Sequence, residues 1–333
     1  MIEVEHLRKV YSTKGSLLNR SQVHAVRDVS FRIPEGGAIS FIGESGCGKT
    51  TVGRILAGLE TPSAGIVRLD GVNIHQVAAR ERRNLLRKIQ LIHQDPYQAL
   101  NPAYPIEQAL SAPLRIMAKQ KGDTPRTWIR DRMEEVLTMV GLDPASVLYK
   151  YPHMLSGGQR QRIVIARALT VEPTVLVADE AVSMIDVSLR LGVLRLLRDL
   201  REKLNISLLF ITHDVAAARY LGSGGQISVI YKGLIVEQGP TEGIISRPQH
   251  PYTQALLSAV PVLKGLERMG ADRFILAKEM NAQSAAETGC LFADRCPFAQ
   301  ERCFSEAPTL IDGDYQYACH FPEVRQVAAV AVE

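Results

Sequence analysis

Residues 42–51 read Ile42-Gly43-Glu44-Ser45-Gly46-Cys47-Gly48-Lys49-Thr50-Thr51. Gly43, Gly48, Lys49 and Thr50 fit the pattern G-x-x-x-x-G-K-[ST]. Glycines let such a loop wind tightly, so that successive backbone N–H groups converge on phosphate oxygens. The lysine supplies a charge for β- and γ-phosphates, and the threonine hydroxyl is a ligand for Mg²⁺. Upstream, Ala38-Ile39-Ser40-Phe41-Ile42 reads as a buried strand; downstream, residues 51–58 read as a helix start. That helix points its positive dipole end at the same anion. Strand before and helix after separate a phosphate loop from a chance Gly-rich turn, and the fold class expected is α/β.

Outward from the loop, the N-terminal side alternates like strands. Ile2-Glu3-Val4 leads to Val10-Tyr11, and Ala25 to Ile33 follows a polar loop from Ser12 to Gln22. Pro34-Glu35-Gly36-Gly37 is a turn. An antiparallel sheet running into the phosphate-loop strand is the natural reading. Tyr11, at a strand end, is either packing or a platform for a nucleotide base.

On the C-terminal side, Ile66 to Gly71 reads as strand and turn, Ala78 to Lys88 as a basic helix, and Ile89 to Ile92 as a strand. Gln94 stands where that last strand gives way to a loop. From Pro105 to Tyr151 the pattern is helical, and Ile129, Met133, Val136, Leu137, Val140 and Leu142 form a core stripe. Ser156-Gly157-Gly158-Gln159 then places a Gly-rich turn at a helix N-terminus, a second anion-binding geometry. Thr174 to Asp179 is an apolar strand ending in Asp179-Glu180. Beside a phosphate loop, the first carboxylate can hold Mg²⁺ through water and the second can orient an attacking water. Asp186 follows, then a helix from Ser188 to Lys203. The strand Ser207 to Thr212 ends in His213, at the sheet edge where α/β proteins bind ligands. Two short strands, Gln226 to Tyr231 and Leu234 to Gln238, close this part. The Pro-rich Arg247 to Tyr252, a helix from Thr253 to Val260 and an aperiodic stretch from Pro261 to Glu287 come next, and the boundary is set near Glu242.

Net charge is +4 from 39 basic and 35 acidic residues, too mild to argue for nucleic acid. No apolar run approaches the ~20 residues that span a bilayer. The acidic, alternating N-terminus is no signal peptide, so the chain is expected in the cytoplasm. Of five cysteines, Cys47 lies in the phosphate loop; Cys290, Cys296, Cys303 and Cys319 cluster at spacing C-x5-C-x6-C-x15-C. In a cytoplasmic chain such a cluster suggests metal rather than disulfides. Four thiolates suit a [4Fe–4S] cluster or tetrahedral Zn²⁺, whose usual tight C-x2–4-C pairs are absent.

Together these motifs resemble the nucleotide-binding subunit of an ATP-binding cassette (ABC) transporter, over Ile2 to about Thr241. Gly43 to Thr50 is similar to the Walker A loop and Gln94 to the Q-loop. Leu155-Ser156-Gly157-Gly158-Gln159 is similar to the signature, which is more specific than Walker A. Asp179 and Glu180 resemble Walker B and the catalytic glutamate, Asp186 the D-loop aspartate, and His213 the switch histidine. Two departures stand out. Ala181 follows the glutamate where the family has proline, and Ser183-Met184-Ile185-Asp186 replaces S-A-L-D. Neither removes a chemical group. Arg247-Pro248-Gln249-His250-Pro251-Tyr252-Thr253 and the segment from Gly289 to Pro297 resemble the C-terminal extension of oligopeptide/dipeptide importers. Within that group, the loop between Tyr11 and Ala25 and the stretch Gly43 to Arg54 look more like the F-type subunit.

The resemblance implies a P-loop cassette at 1–241, with a RecA-like parallel sheet core, an antiparallel β subdomain and a helical signature subdomain at about 95–165. A small cysteine-containing extension would occupy 242–333. It implies ATP bound by Tyr11, Gly43, Ser45, Gly46, Cys47, Gly48, Lys49, Thr50, Thr51, Gln94, Asp179 and His213. Ser156, Gly157, Gly158, Gln159 and Asp186 would complete the site from a second subunit. Mg²⁺ would sit on Thr50, Gln94 and Asp179; Glu180, His213, Lys49 and Gln94 would carry catalysis. At the four cysteines the resemblance favours [4Fe–4S] over zinc or free thiols. The implied partners are a D-like ATPase subunit, two transmembrane permease subunits and an extracytoplasmic solute-binding protein, with no nucleic acid. One permease helix would meet Gln94 to Tyr104. The chain would work at the cytoplasmic face of the membrane, hydrolysing ATP to import oligopeptides or dipeptides. Oligosaccharides or nickel are the alternative cargo, and a non-transport ABC ATPase is the rival reading.

Overall fold

The structure, a computed structural model, describes residues 1–12, 22–122, 125, 127–259 and 288–323. The stretch at 261–287, the apolar tail at 324–333 and nearly all of the polar loop before Gln22 lie outside the described residues.

The chain opens with an antiparallel pair, β1 (Ile2–Ser12) and β2 (Gln22–Ile33), in which Ile2 faces Ile33 and Tyr11 faces Val23. β3 (Ala38–Ile42), buried at every position, leads through the phosphate loop into α1 (Lys49–Leu56). β4 (Ala64–Leu69) returns antiparallel to β1, with the short β5 (Val72–Asn73) on its edge. α2 (Ala79–Arg87) and β6 (Ile89–Ile92) follow. A helical stretch then runs through α3 (Pro96–Ala99), α4 (Ile106–Lys121), α5 (Trp128–Met139), α6 (Pro144–Val147) and α7 (Gly157–Leu169). β7 (Val175–Asp179), α8 (Val187–Leu204), β8 (Ser207–Ile211) and α9 (Val215–Leu221) return to the sheet. The hairpin β9 (Gln226–Tyr231) and β10 (Leu234–Pro240) comes next. The C-terminal part holds α10 (Thr241–Ser246), α11 (Pro251–Ser258), α12 (Glu301–Ser305) and β11 (Gln316–Tyr317).

The strands join in the order β5-β4-β1-β2-β10-β9-β3-β8-β7-β6, with β11 on β10. β9, β3, β8, β7 and β6 are mutually parallel. This corrects one expectation. The antiparallel sheet does not run directly into the phosphate-loop strand, because β9 and β10 lie between β2 and β3. The two strands differ in patterning, which marks the faces they cover and not their neighbours. β3 is apolar on both faces and needs cover on both, which crossover helices supply to a parallel strand. β2 alternates over much of its length and can leave one face toward water.

Alternate residues of the parallel strands feed two cores. Leu176, Ala178, Leu208 and Phe210 pack against the helical stretch, including the expected stripe residues Met133, Val136, Leu137, Val140 and Leu142. Val175, Val177, Leu209 and Ile211 pack with Val52, Ile55 and Leu56 of α1 and with Val29 and Phe31 of β2. In a third core, Tyr252, Leu257 and Phe292 pack with Ile42, Val229, Tyr231 and Val236. Residues on either side of Glu242 therefore share one interior. The C-terminal ends of β3, β7 and β8 bring residues 43, 179–180 and 212–213 to one sheet edge, the usual ligand edge of an α/β sheet.

Candidate nucleotide-binding site

Two loop positions demand glycine. Gly43 has φ 153°, and a Cβ there would meet the Ile230 carbonyl oxygen at 2.2 Å. Gly48 has φ 107°, and its Cβ would meet the Ala25 carbonyl oxygen at 2.2 Å. The backbone is pressed against β2 and β9, which gives the loop a fixed shape. Gly48 caps α1, so the loop leads straight to that helix's free N–H groups. Lys49 is only 4% exposed, and its Nζ donates to the carbonyls of Gly43 (2.7 Å) and Glu44 (2.8 Å). Cys47 is buried with its Sγ 3.5 Å from that Nζ. Burial pushes its thiol above the ordinary value, with Lys49 opposing. Ser45 and Gly46 are exposed, and Thr51 is half-buried.

The carboxylates meet the loop as their spacing suggests. The Thr50 hydroxyl donates to Asp179 Oδ1 at 3.0 Å. Burial holds the Asp179 carboxyl above the usual carboxylate range, against the pull of that hydroxyl. Gln94 Nε2 donates to Glu180 Oε2 at 2.8 Å, and His213 Nδ1 lies 3.5 Å from Glu180 Oε1. Glu180 itself is in the left-handed region (φ 47°). Its N–H donates to Ile211 O (2.9 Å), and its carbonyl accepts from the Ser183 N–H (3.0 Å) and hydroxyl (2.9 Å). One cluster therefore joins the ends of β3, β6, β7 and β8. It offers an ordered carboxylate beside a phosphate-shaped loop, the arrangement that phosphoryl transfer to water uses.

Other expected residues lie apart from this cluster. Tyr11 is half-buried near the end of β1, with Lys9 Nζ 4.9 Å above its ring. Ser156 caps α7 in a reciprocal capping box: its Oγ accepts the Gln159 N–H (3.2 Å), and Gln159 Oε1 accepts the Ser156 N–H (3.1 Å). Ser156 is exposed, and no hydrogen bond among the described residues joins Ser156 or Gln159 to the phosphate loop. Gly158 packs under Leu189 of α8, where a Cβ would come to 3.2 Å. Asp186 is exposed at the start of α8.

The four C-terminal cysteines line one pocket, together with His250, Phe292 and His320. The Cys290 N–H donates to Cys303 O at 2.7 Å. Burial, reinforced by the neighbouring thiols, pushes the Cys319 thiol up to about 11. Among the described residues no group of three or more His, Cys, Asp or Glu side chains is arranged to hold a metal ion.

Comparison with known proteins now decides the family. Residues 26–183 match the ABC transporter family, and residues 236–303 match the family described as oligopeptide/dipeptide transporter, C-terminal region. The dipeptide transport ATP-binding protein DppF of Haemophilus influenzae is 41% identical over 308 residues, 91% of this chain and 90% of that protein. The di/tripeptide transport ATP-binding protein DppF of Pseudomonas aeruginosa is 38% identical over 312 residues, 93% and 94% of the two chains. This chain is an ABC transporter ATP-binding subunit. The ABC cassette MJ0796 resembles it in structure, both as a dimer and in a post-hydrolysis state with ADP and Pi. In each case the TM-score is 0.63 at 28% identity, over 72% of this chain and 99% of that one. The cbiO1 protein of Clostridium perfringens gives a TM-score of 0.61 at 25% identity, over 73% and 89%.

The subunit is thus an ATPase, and its structure adds contacts that the motifs did not announce. Arg190 Nη1 donates to Asp214 Oδ2 at 3.2 Å, tying the start of α8 to the segment after His213. Asp214 also caps α9 through the N–H groups of Ala216 and Ala217. From the C-terminal part, the Tyr252 hydroxyl and the Arg295 guanidinium both reach Glu44. Only a carboxylate inside an anion-binding loop hinted at such a counter-charge.

Proposed function

We propose that this ATPase powers an importer of oligopeptides or dipeptides, working at the cytoplasmic face of the membrane. The convergence of Thr50, Asp179, Gln94, Glu180 and His213 on one sheet edge carries the hydrolytic half of this reading. The C-terminal match and the peptide transport named for the relatives carry the cargo half. Among the described residues no helix is long and apolar enough to cross a membrane; the peptide transport named for the relatives supports permease subunits as the path.

The phosphates of ATP lie over Gly43, Ser45, Gly46, Cys47 and Gly48, with Lys49 and Thr51, and the base stacks on Tyr11. Thr50, Gln94 and Asp179 are the groups that would hold Mg²⁺, which neutralises developing charge on the phosphates. Glu180 orients the attacking water, held between Gln94 and His213. The capped N-terminus of α7, with Ser156, Gly157, Gly158 and Gln159, is directed to the nucleotide of a second, D-like ATPase subunit, as is Asp186. Exposed Tyr97 and Tyr104 suit docking of a permease helix beside Gln94. The cassette spans 1–241, with its helical subdomain at about 95–165, and the extension 242–333.

Cys290, Cys296, Cys303 and Cys319 fit a [4Fe–4S] cluster by donor chemistry, four thiols around one pocket. Zinc, with Zn–S bonds of about 2.3 Å, needs its sulfurs drawn tightly together. Iron and acid-labile sulfide in the anaerobically purified chain are expected; colourless protein carrying zinc would replace the cluster with Zn²⁺.

The decisive experiment reconstitutes the subunit with its permeases, sister ATPase and solute-binding protein. Di- and oligopeptides should stimulate ATP hydrolysis several-fold. Stimulation by oligosaccharides or nickel instead would reassign the cargo.

A further inference from the structure

Glu44 places a carboxylate directly after Gly43, inside a loop shaped for a polyanion. Left alone, that charge opposes the phosphates it adjoins. It is not left alone. Arg295, more than 250 positions away in sequence, grips it with both arms of its fork: Nη1 to Oε2 at 3.0 Å and Nη2 to Oε1 at 2.8 Å. Arg295 is nearly buried, at 8% exposure. Its Cζ lies beside the Tyr231 and Phe292 rings, 5.8 and 5.7 Å from their centroids. The same glutamate is held at its backbone. Its N–H donates to the Tyr252 hydroxyl at 2.8 Å, and its carbonyl accepts Lys49 Nζ at 2.8 Å. Side chain, N–H and C=O of one loop residue thus connect the C-terminal extension to the phosphate-binding lysine.

We infer that Arg295 is a positioning residue for the nucleotide site: by neutralising and orienting Glu44, it lets the C-terminal extension set the affinity of the phosphate loop for ATP. The inference rests on the reading that residues 43–50 hold the phosphates of ATP. A bidentate pair fixes geometry as well as charge, and this one is partly sheltered, its side chains 10% and 26% exposed, which reduces screening by salt. Lysine at 295 keeps the charge and loses the fork. The ligand class is a nucleoside triphosphate, whose dense negative charge feels Glu44 most.

The test uses the full-length chain with trinitrophenyl-ATP for binding and the assembled transporter for kinetics. Arg295→Ala should weaken binding about tenfold and raise KM for ATP more than it lowers kcat. Arg295→Lys should fall between. Removing the orphaned charge decides the matter: Arg295→Ala with Glu44→Gln should recover affinity to within about threefold of the parent. A simple staple predicts otherwise, since the double variant still lacks the clasp. Unchanged affinity in Arg295→Ala, or no recovery in a double variant with parental circular dichroism, overturns the inference. Lys49→Ala serves as the control. If it binds nucleotide like the parent, the phosphate-loop reading fails, and the Arg295 inference falls with it for that separate reason.

Discussion

Glu180 is held by four residues at once. Its backbone sits in the left-handed region, locked by the Ile211 carbonyl and by both donors of Ser183. Its two carboxylate oxygens face Gln94 and His213. A non-glycine residue with positive φ at a functional edge is retained because its surroundings over-determine it. Replacing Glu180 by Gln keeps this frame and removes only the negative charge that orients water. Turnover should fall by at least about 100-fold while ATP binding stays within about twofold; undiminished hydrolysis would end the assignment. Gly48→Ala makes the opposite kind of change. Its Cβ would meet the Ala25 carbonyl in a strained backbone, so both nucleotide binding and thermal stability should drop. At this scale the loop and the two carboxylates were legible, because Gly43, Gly48, Lys49 and Thr50 stand at a fixed spacing and Asp179-Glu180 ends an apolar strand. Glu44 was not. It occupies a variable position of the pattern, and its partner Arg295 is remote in the chain.

Helix α7 begins on atoms that serve stability and that we propose also serve catalysis in an assembled pair of ATPase subunits. The pattern Ser156-x-x-Gln159 forms its capping box, and Arg160, whose Nε donates weakly back to Ser156 O, lies 3.9 Å over the Tyr97 ring of α3. The cap, the cation–π contact and the Q-loop neighbour are thus one assembly, linking the signature turn to Gln94. Ser156→Ala should cost the isolated chain only about 1 kcal/mol, the ordinary worth of a cap. If Ser156 also meets the nucleotide of a partner subunit, turnover of the assembled transporter should fall far more than that stability loss explains. Thermal unfolding beside kcat in the same variant separates the two. The strands themselves were readable as apolar runs, β3, β7 and β8 above all, because burial on both faces leaves only one polar residue in each, Ser40, Asp179 and Ser207. Their order was not. Hydrophobic period marks which faces are covered, and says nothing of which strand lies beside which; hence the intrusion of β9 and β10 between β2 and β3.

Across the whole molecule, the contacts that fasten the described C-terminal part include the third core, the β10–β11 pair, the Glu44 clasp and a buried knot at Glu237. The sequence Leu234-Ile235-Val236-Glu237-Gln238 gives no sign of the knot. A register shift between Ile235 and Glu237 breaks the pleat and accompanies a glutamate with 0% exposure. There Glu237 accepts the N–H groups of Gln249 (2.6 Å) and His250 (3.1 Å) and the Tyr315 hydroxyl (2.5 Å). Burial raises its carboxyl above the ordinary 4.5 despite those donors. Above about pH 4.5 the folded chain therefore keeps a proton that the unfolded chain has lost. This site's contribution is full below that value and is lost as pH rises through the raised folded pKa. Glu237→Gln cannot titrate, and its amide nitrogen cannot accept a backbone N–H. It should cost about 1–3 kcal/mol. The gap between parent and variant should be widest near pH 5 and narrow toward pH 8, as measured by chemical unfolding at each pH. A gap that stays constant across that range would mean Glu237 is already ionised in the fold, its donors outweighing its burial.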